Sequence, residues 1–380
     1  MPYKQLILII IGFLIPIFFI FRSLFSLSPA VWGDAPYFYP QGLVELVSEP
    51  LSWTERGKSF GGLNQVLFLS PMMLLYGLLH TIFGLGNDVI IRILFYFPGI
   101  ISAAIGVLFL SRYLRLSIVS QFFASLLYVI NTYFILLVDG GQIGIVLAYG
   151  IFPFALLFLR KLSDKYSLNT LYLSIIILAI LEMVDPRIAI LVIVSIVAWN
   201  VVDFFVTSDI KKIVNLKYIF LSVLGATALN LYWIYPLLSL QERAGEIQSL
   251  PLQLTSILHA LTLYQPHWPL NEFGKITYPQ VYFILLPILA VIGLLLDKSK
   301  DYLSLFILVL LFVFLTKGTT PPFGELYEFI LNSIPYGTSF RDSTKFFMPL
   351  VLFYGLLFGK ASQAIFNNPI LKKYTPFSIV

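Results

Sequence analysis

Apolar runs of about twenty residues recur along the whole chain, at 5–25, 90–111, 117–137, 142–160, 168–184, 187–206, 217–239, 279–297, 302–316 and 346–364. Each is near the length at which a helix crosses roughly 30 Å of hydrocarbon. Because a bilayer offers the backbone no hydrogen-bond partners, such runs predict helices, and the period-2 alternation of an outer-membrane barrel is absent. The expected fold is an all-α, polytopic transmembrane helical bundle of about ten spans, a single membrane domain over residues 1–380. A further apolar run at 64–83 contains Ser70-Pro71, Gly77 and His80 and reads as a re-entrant or surface-lying helix.

Charge sets the orientation. Hydrophobic residues make up 59% of the chain and charged residues 11%, with a mean hydropathy of +0.91. The short connections rich in base are Arg112/Arg115, Arg160/Lys161/Lys165, Lys211/Lys212/Lys217, Lys298/Lys300 and the tail with Lys360, Lys372 and Lys373. They alternate without exception if all are cytoplasmic, as basic residues near span ends prefer. Both termini are then cytoplasmic in a multi-pass plasma-membrane protein, and the external segments of substance are 26–89, 240–278 and 317–345. This scheme requires that 64–83 does not cross. The alternative lets it cross, places the N-terminus outside and moves Asp34 to the cytoplasm; Lys4 and the terminal amine oppose it. The first run has no small-residue cleavage site after it and reads as a retained signal anchor. The net charge of +5 follows from the same bias and calls for the lipid bilayer, not nucleic acid, as partner. There is no cysteine, which removes disulfides and thiolate chemistry.

Against this background Asp34, in Trp32-Gly33-Asp34-Ala35-Pro36-Tyr37, is an isolated acid at the expected membrane boundary. One reading is a cap on a short helix opened by Pro36. The other is a general base taking a proton from an attacking hydroxyl. Trp32, Tyr37, Phe38 and Tyr39 could stack on a sugar or form part of an aromatic belt. In Asp139-Gly140-Gly141-Gln142 the glycines either expose backbone amides to an anion or make a tight connection between spans. Glu182, Asp185 and Arg187 form a charged hairpin on the same side, with an Asp185–Arg187 ion pair as its plain explanation. Phe340-Arg341-Asp342-Ser343-Thr344-Lys345-Phe346 places two cations and two hydroxyls on the external side, a set suited to phosphate, and Arg92 opens the next span after the first loop. External cations facing a lone acid suggest a pocket for an anionic, lipid-linked ligand. The expected substrate-binding residues are Arg92, Asp139, Gly140, Gly141, Gln142, Arg187, His267, Arg341 and Lys345, with Asp34 as the catalytic residue. Leu250 to Leu263 reads as an amphipathic stretch leading to the interfacial cluster Tyr264-Gln265-Pro266-His267-Trp268-Pro269. His80, His259 and His267 are scattered, and no metal-ligand spacing, Walker loop or dinucleotide fingerprint is present. No cofactor is expected, a divalent metal being left open.

This pattern resembles the GT-C superfamily of integral-membrane glycosyltransferases. The resemblance rests on the acid after the first span, a long first external loop with a non-crossing helix, Arg92 and a large external loop after the seventh span. The Asp-Gly-Gly-Gln and Phe-Arg-Asp-Ser-Thr-Lys-Phe segments are similar to those of bacterial and archaeal members near the YfhO-like and arabinofuranosyltransferase-like groups. The architecture is also similar to that of protein mannosyltransferases. Two features depart from the pattern: Asp34 is not followed by a second acid, and no soluble external domain follows the last span, which reads as a minimal member or a truncated chain. The resemblance implies transfer of a sugar from a polyprenyl-phosphate donor to a glycan, lipid or protein acceptor on the extracytoplasmic face. Asp34 would act as base, and Arg341 and Lys345, with Arg92 and the Gly140-Gly141 amides, would neutralise the leaving phosphate. A transporter or flippase of lipid-linked sugars is the competing class, although such proteins place binding residues near the bilayer midplane, which here is nearly empty of charge. A non-catalytic assembly subunit is the third reading.

Overall fold

The computed structural model describes residues 3–26, 33–48, 53–54, 62–63, 66–239, 255–265, 279–334 and 337–368. In chain order the helices are α1 (Tyr3–Ile20), α2 (Pro40–Ser48), α3 (Ser70–Phe83), α4 (Asn87–Tyr113), α5 (Ile118–Val129), α6 (Thr132–Asp139), α7 (Ile143–Asp164) and α8 (Leu168–Val184). They continue with α9 (Pro186–Thr207), α10 (Lys211–Leu229), α11 (Leu231–Ser239), α12 (Ile257–Leu261), α13 (Val281–Leu296), α14 (Lys300–Lys317), α15 (Gly324–Ser333) and α16 (Ser343–Asn367). A two-residue pairing of Trp53–Thr54 with Gly62–Leu63 is the strand structure among the described residues.

Five helices, α4, α7, α9, α10 and α16, are long and apolar enough to cross a membrane. The pair α5 and α6, bent by 44°, makes a sixth if taken as one broken span. Helices α8 and α13 are apolar but shorter, and α14 carries Lys300, Asp301 and Lys317 at its ends. The helical membrane class read from the sequence is therefore the observed one, with length and apolarity accounting for five or six of the ten crossings expected.

Small residues let the long helices approach closely, as they do where lipid removes any hydrophobic drive to associate. A β-carbon on Gly150 of α7 would stand 2.3 Å from the Gly99 carbonyl oxygen of α4. On α16, Gly355 and Gly359 face Ala124 and Ser120 of α5, and β-carbons there would lie 2.9 and 2.8 Å from those carbonyl oxygens. The break between α5 and α6 is filled by polar groups. Asn131 caps α6 by accepting the Phe134 N–H at 2.9 Å, and its amide donates to the Tyr128 carbonyl at 2.6 Å and the Tyr149 hydroxyl at 3.1 Å. Tyr149 in turn donates to the Tyr128 carbonyl and stacks on the rings of Tyr128 and Phe134.

The two ends of the bundle differ in chemistry. At one end the base-rich connections meet: Asp164 accepts from Tyr113 and pairs with Lys212 and Arg160, and Lys360 lies 3.6 Å from Asp301. Arg160 also pairs with Asp203, both buried, and sits over the Trp199 ring. At the other end lie 24–26, 33–39, 87–92, 132–142, 185–187, 255–265, 316–320 and 342–345, joined by the contacts described below. Helix α1 points toward that second end, since Phe13 meets Phe122 and Phe21 meets Phe134. Helix α3 packs on α2 through Gly77. The turn before α3 receives the Tyr232 hydroxyl on Phe68, and the segment after it begins α4 at Asn87. The 317–345 segment, expected as a loop, contains α15, which buries Tyr327 and Leu331 and exposes Phe323, Leu326 and Phe329 beside it. That one-sided pattern fits an interfacial helix.

Candidate functional site

Asp34 does not cap a helix. Residues 35–39 are irregular and α2 begins only at Pro40. Its exposed carboxylate instead accepts a hydrogen bond from the Gln142 side-chain amide, and its N–H donates to the Gly140 carbonyl at 2.9 Å. The segment is also gripped from the other side by the buried Asn87 at the start of α4. Asn87 Oδ1 accepts the Phe38 N–H at 3.1 Å and the Tyr76 hydroxyl at 2.7 Å, and its amide reaches the Pro36 carbonyl. Gly33, at φ +57°, is what permits the approach to Gly140. Tyr37 and Tyr39 stack edge to face and are exposed, whereas Phe38 packs on Tyr76; Trp32 lies outside the described residues.

Gly140 and Gly141 have a role other than the expected anion cradle. Gly141, at φ +71°, closes α6 with its N–H on Val138 O and the Gln142 N–H on Leu137 O, while the Gly140 N–H bonds Leu136 O. This is the Schellman arrangement, and it consumes the amides that would otherwise face a ligand. The turn presents the Gly140 carbonyl and the Gln142 side chain to Asp34. Asp139, half-buried at the end of α6, lies in electrostatic range of Tyr96.

Arg92 is a tie between helices. Its guanidinium, buried in a π turn of α4, donates to Leu24 O at 2.9 Å, Ser26 O at 3.0 Å and the Asp88 carboxylate at 3.0 Å. These bonds hold the end of α1 against α4, and so set where the Asp34 segment starts.

A second group assembles around the other terminus of α6. Asp185 caps α9 and holds Arg187 in a two-point ion pair, at 3.0 and 2.7 Å. The plain explanation of this hairpin is thus present in the structure, and Arg187 remains partly exposed. Arg187 is also in electrostatic range of Tyr133 and Asp342, and Lys345 is in range of Asp185 and Arg187. Lys345 lies 3.5 Å from Asp342, whose carboxylate accepts the Thr344 N–H and hydroxyl. Arg341 is half-buried with no hydrogen bond or ion pair among the described residues. The 255–265 segment closes over this group: Thr255 donates to Thr316 O and meets Ser343, and Thr132 bonds both Leu263 O and the Gln265 N–H. Tyr327 anchors the approach by donating to Phe340 O at 2.9 Å. Burial, with Asp342 nearby, pushes its phenol above the ordinary range and keeps it a neutral donor. His267 lies outside the described residues, as do residues 250–254 of the expected amphipathic stretch, of which the helical part described is α12.

The structure therefore brings Asp34 together with Gly140 and Gln142, and Arg187 with Lys345, at one end of the bundle. Three contributors went unread in the sequence. Asn87 is an ordinary Gly-Asn helix start and Gly33 an ordinary turn glycine, so only long-range contacts give them meaning. Lys317 is a buried cation at the end of α14, donating to Gly318 O and Thr320 O. Among the described residues no group of three His, Asp or Glu side chains gathers as a metal site.

A family model described as a 6-pyruvoyl-tetrahydropterin synthase related domain, a membrane protein, matches residues 71–332, more than half of the chain. The chain belongs to this family. The matched range contains Arg92, Asp139 to Gln142 and Arg187, while Asp34, Arg341 and Lys345 lie outside it. No curated protein and no solved structure matches the chain. The description of the family as a membrane protein accords with the apolar helices of this structure.

Proposed function

We propose that the protein is a GT-C-type membrane glycosyltransferase that moves a sugar from a polyprenyl-phosphate donor to a glycan, lipid or protein acceptor outside the cytoplasm. The observation that carries this reading is Asp34 itself: an exposed carboxylate, oriented by Gln142 and fixed by its backbone on Gly140, at the bundle end where Arg187 and Lys345 come together. Asp34 takes the proton from the acceptor hydroxyl as its oxygen bonds the anomeric carbon. The bond from that carbon to the donor phosphate breaks, and the phosphate leaves with the electron pair. In this reading Arg341, Lys345 and Arg187 neutralise the negative charge that then accumulates on the phosphate, which lowers such a barrier. Arg92 and the Gly140-Gly141 turn serve this site by positioning.

The orientation belongs to the same proposal. Base-rich turns collect at the end away from Asp34, and basic span ends favour the cytoplasm. Helix α3 spans about 21 Å at 1.5 Å per residue and leads from Phe68 to Asn87 at the Asp34 end, which supports a non-crossing helix in a first external loop. Both termini are then cytoplasmic in a plasma-membrane protein of about ten spans. A carrier of lipid-linked sugars is the second reading, favoured by the broken α5–α6 helix.

The test is incubation of the purified protein with polyprenyl-phosphate sugars and measurement of donor consumption. Transfer that disappears in Asp34→Asn, with donor binding retained, is the expected result. Full activity in Asp34→Asn removes the assigned role, and donor movement across vesicles without consumption favours the carrier.

A further inference from the structure

At the end of the bundle opposite Asp34, a cavity of about 400 Å3 lies between the α4–α5 turn, the α13–α14 turn and the last turns of α16. Arg115, Lys298, Lys360, Gln363 and Asn367 contribute to its wall, and Asp297 is the one acid among the lining residues. Asp297 is already engaged, accepting the Ser299 N–H at 2.9 Å, and Lys360 faces Asp301 at 3.6 Å. Arg115 and Lys298 have no ion-pair partner among the described residues. Gln363 gives its oxygen to the Ser117 N–H at 3.0 Å, which leaves its NH2 as a donor. The cavity thus offers donors and cations with little acid to balance them.

The backbone at Arg115 adds an independent observation. Helix α4 ends in a Schellman turn, with Leu116 N–H on Ser111 O and Arg115 N–H on Arg112 O, and Arg115 occupies the left-handed position at φ +60°. Glycine takes that position without strain, whereas an arginine there is held against its backbone preference at the wall of a polar cavity. Leu295, Leu296 and Phe366 are exposed beside it, an apolar surface suited to acyl chains.

We infer that this cavity binds a phosphate-bearing head group, that of an anionic phospholipid in the leaflet at the basic end. Arg115 forks onto the phosphate oxygens, Lys298 supplies a point charge and the Gln363 amide a further hydrogen bond. The site is separate from Asp34 and does not depend on the glycosyltransferase reading.

The experiment uses the full chain in detergent, with short-chain phosphatidylglycerol, short-chain phosphatidylcholine and inorganic phosphate as probes. Retained lipid is counted by native mass spectrometry, and phosphate binding is read by thermal shift. Arg115→Gly relieves the left-handed strain, so it melts no lower than the parent while retaining phosphatidylglycerol about tenfold less or weaker still, as does Lys298→Gln. Protection by inorganic phosphate that is lost in the same variants also supports the site and identifies free phosphate as a ligand. Phosphatidylglycerol binding that is unchanged in both variants, equal to that of phosphatidylcholine, or reduced as much by Lys211→Gln/Lys217→Gln outside the cavity overturns the inference.

Discussion

Gly33 lies so close to Gly140 that a β-carbon on it would stand 2.1 Å from the Gly140 carbonyl oxygen, the same oxygen that accepts the Asp34 N–H. The first loop and the α6–α7 turn are therefore locked by two successive residues, one through shape and one through a hydrogen bond. Gly33→Ala meets a backbone atom that no rotamer change can move, and the left-handed φ alone costs about 1–2 kcal/mol. It is expected to abolish donor consumption and to lower the thermal midpoint. Gly33→Asn separates the two causes, because asparagine tolerates the left-handed region but still carries a β-carbon. A Gly33→Asn protein with parental activity would show that contact with Gly140 is not what positions Asp34.

Gln142 tests orientation apart from chemistry. Its amide is the side-chain donor to the Asp34 carboxylate among the described residues, and its own N–H, on Leu137 O, closes the Schellman turn. Gln142→Leu leaves the charge in place and removes the constraint. Misplacement of a reacting group by about 1 Å costs on the order of 10²-fold in rate. The expected outcome is a fall in kcat of that order with KM for the donor nearly unchanged, measured on purified protein. A change in KM alone would assign Gln142 to donor binding instead.

How much of this was legible in the sequence divides by range. Runs of apolar residues define the helices because each helix satisfies its own backbone, a local property. The alternation of basic turns is likewise local, and the gathering of Tyr113, Asp164 and Lys212 at one end follows it. Asp34 and Gln142 each stand out in an apolar chain, but nothing in their spacing of 108 residues says that they touch. The Gly140-Gly141 pair shows the limit most clearly. Two glycines before a helix suit an anion cradle and a Schellman turn equally, and only the acceptors of their N–H groups decide. Arg92 is similar: an arginine at a span start fits a phosphate ligand or a helix tie, and the carbonyls of Leu24 and Ser26 are what make it the latter. Helix α15 is short and amphipathic, with no long apolar run to announce it.

Arg160 and Asp203 form a buried ion pair between α7 and α9, and breaking it from one side strands a charge. Arg160→Met, which leaves Asp203 buried and without its cation, is expected to destabilise the protein by about 3–5 kcal/mol, and adding Asp203→Leu recovers most of the loss. Asp203→Leu alone costs less, because Arg160 keeps Asp164 at 3.3 Å and the Trp199 ring at 4.7 Å. Thermal unfolding of the two single variants and the double variant closes the cycle. Additive losses would mean that the two side chains act independently.

The break at Asn131 supplies the last test. A helix interrupted at membrane depth leaves backbone groups that water cannot reach, and here Asn131 satisfies the Phe134 N–H on one side and the Tyr128 carbonyl on the other. Asn131→Leu orphans the Phe134 N–H, at about 1–3 kcal/mol for a buried group left unpaired, while the Tyr128 carbonyl keeps the Tyr149 hydroxyl. Tyr128→Phe removes the hydroxyl that donates to Tyr149 O, a carbonyl whose i+4 residue is Pro153 with no N–H to offer, so it also costs about 1–3 kcal/mol. Both variants are therefore expected to melt below the parent, by similar amounts. Transfer activity should fall with Asn131→Leu further than stability alone explains. The break aims Thr132 at Leu263 and Gln265, and places Tyr133 beside Asp185, Arg187 and Asp342. If Asn131→Leu is destabilised yet fully active below its melting temperature, the broken helix serves packing and not the site.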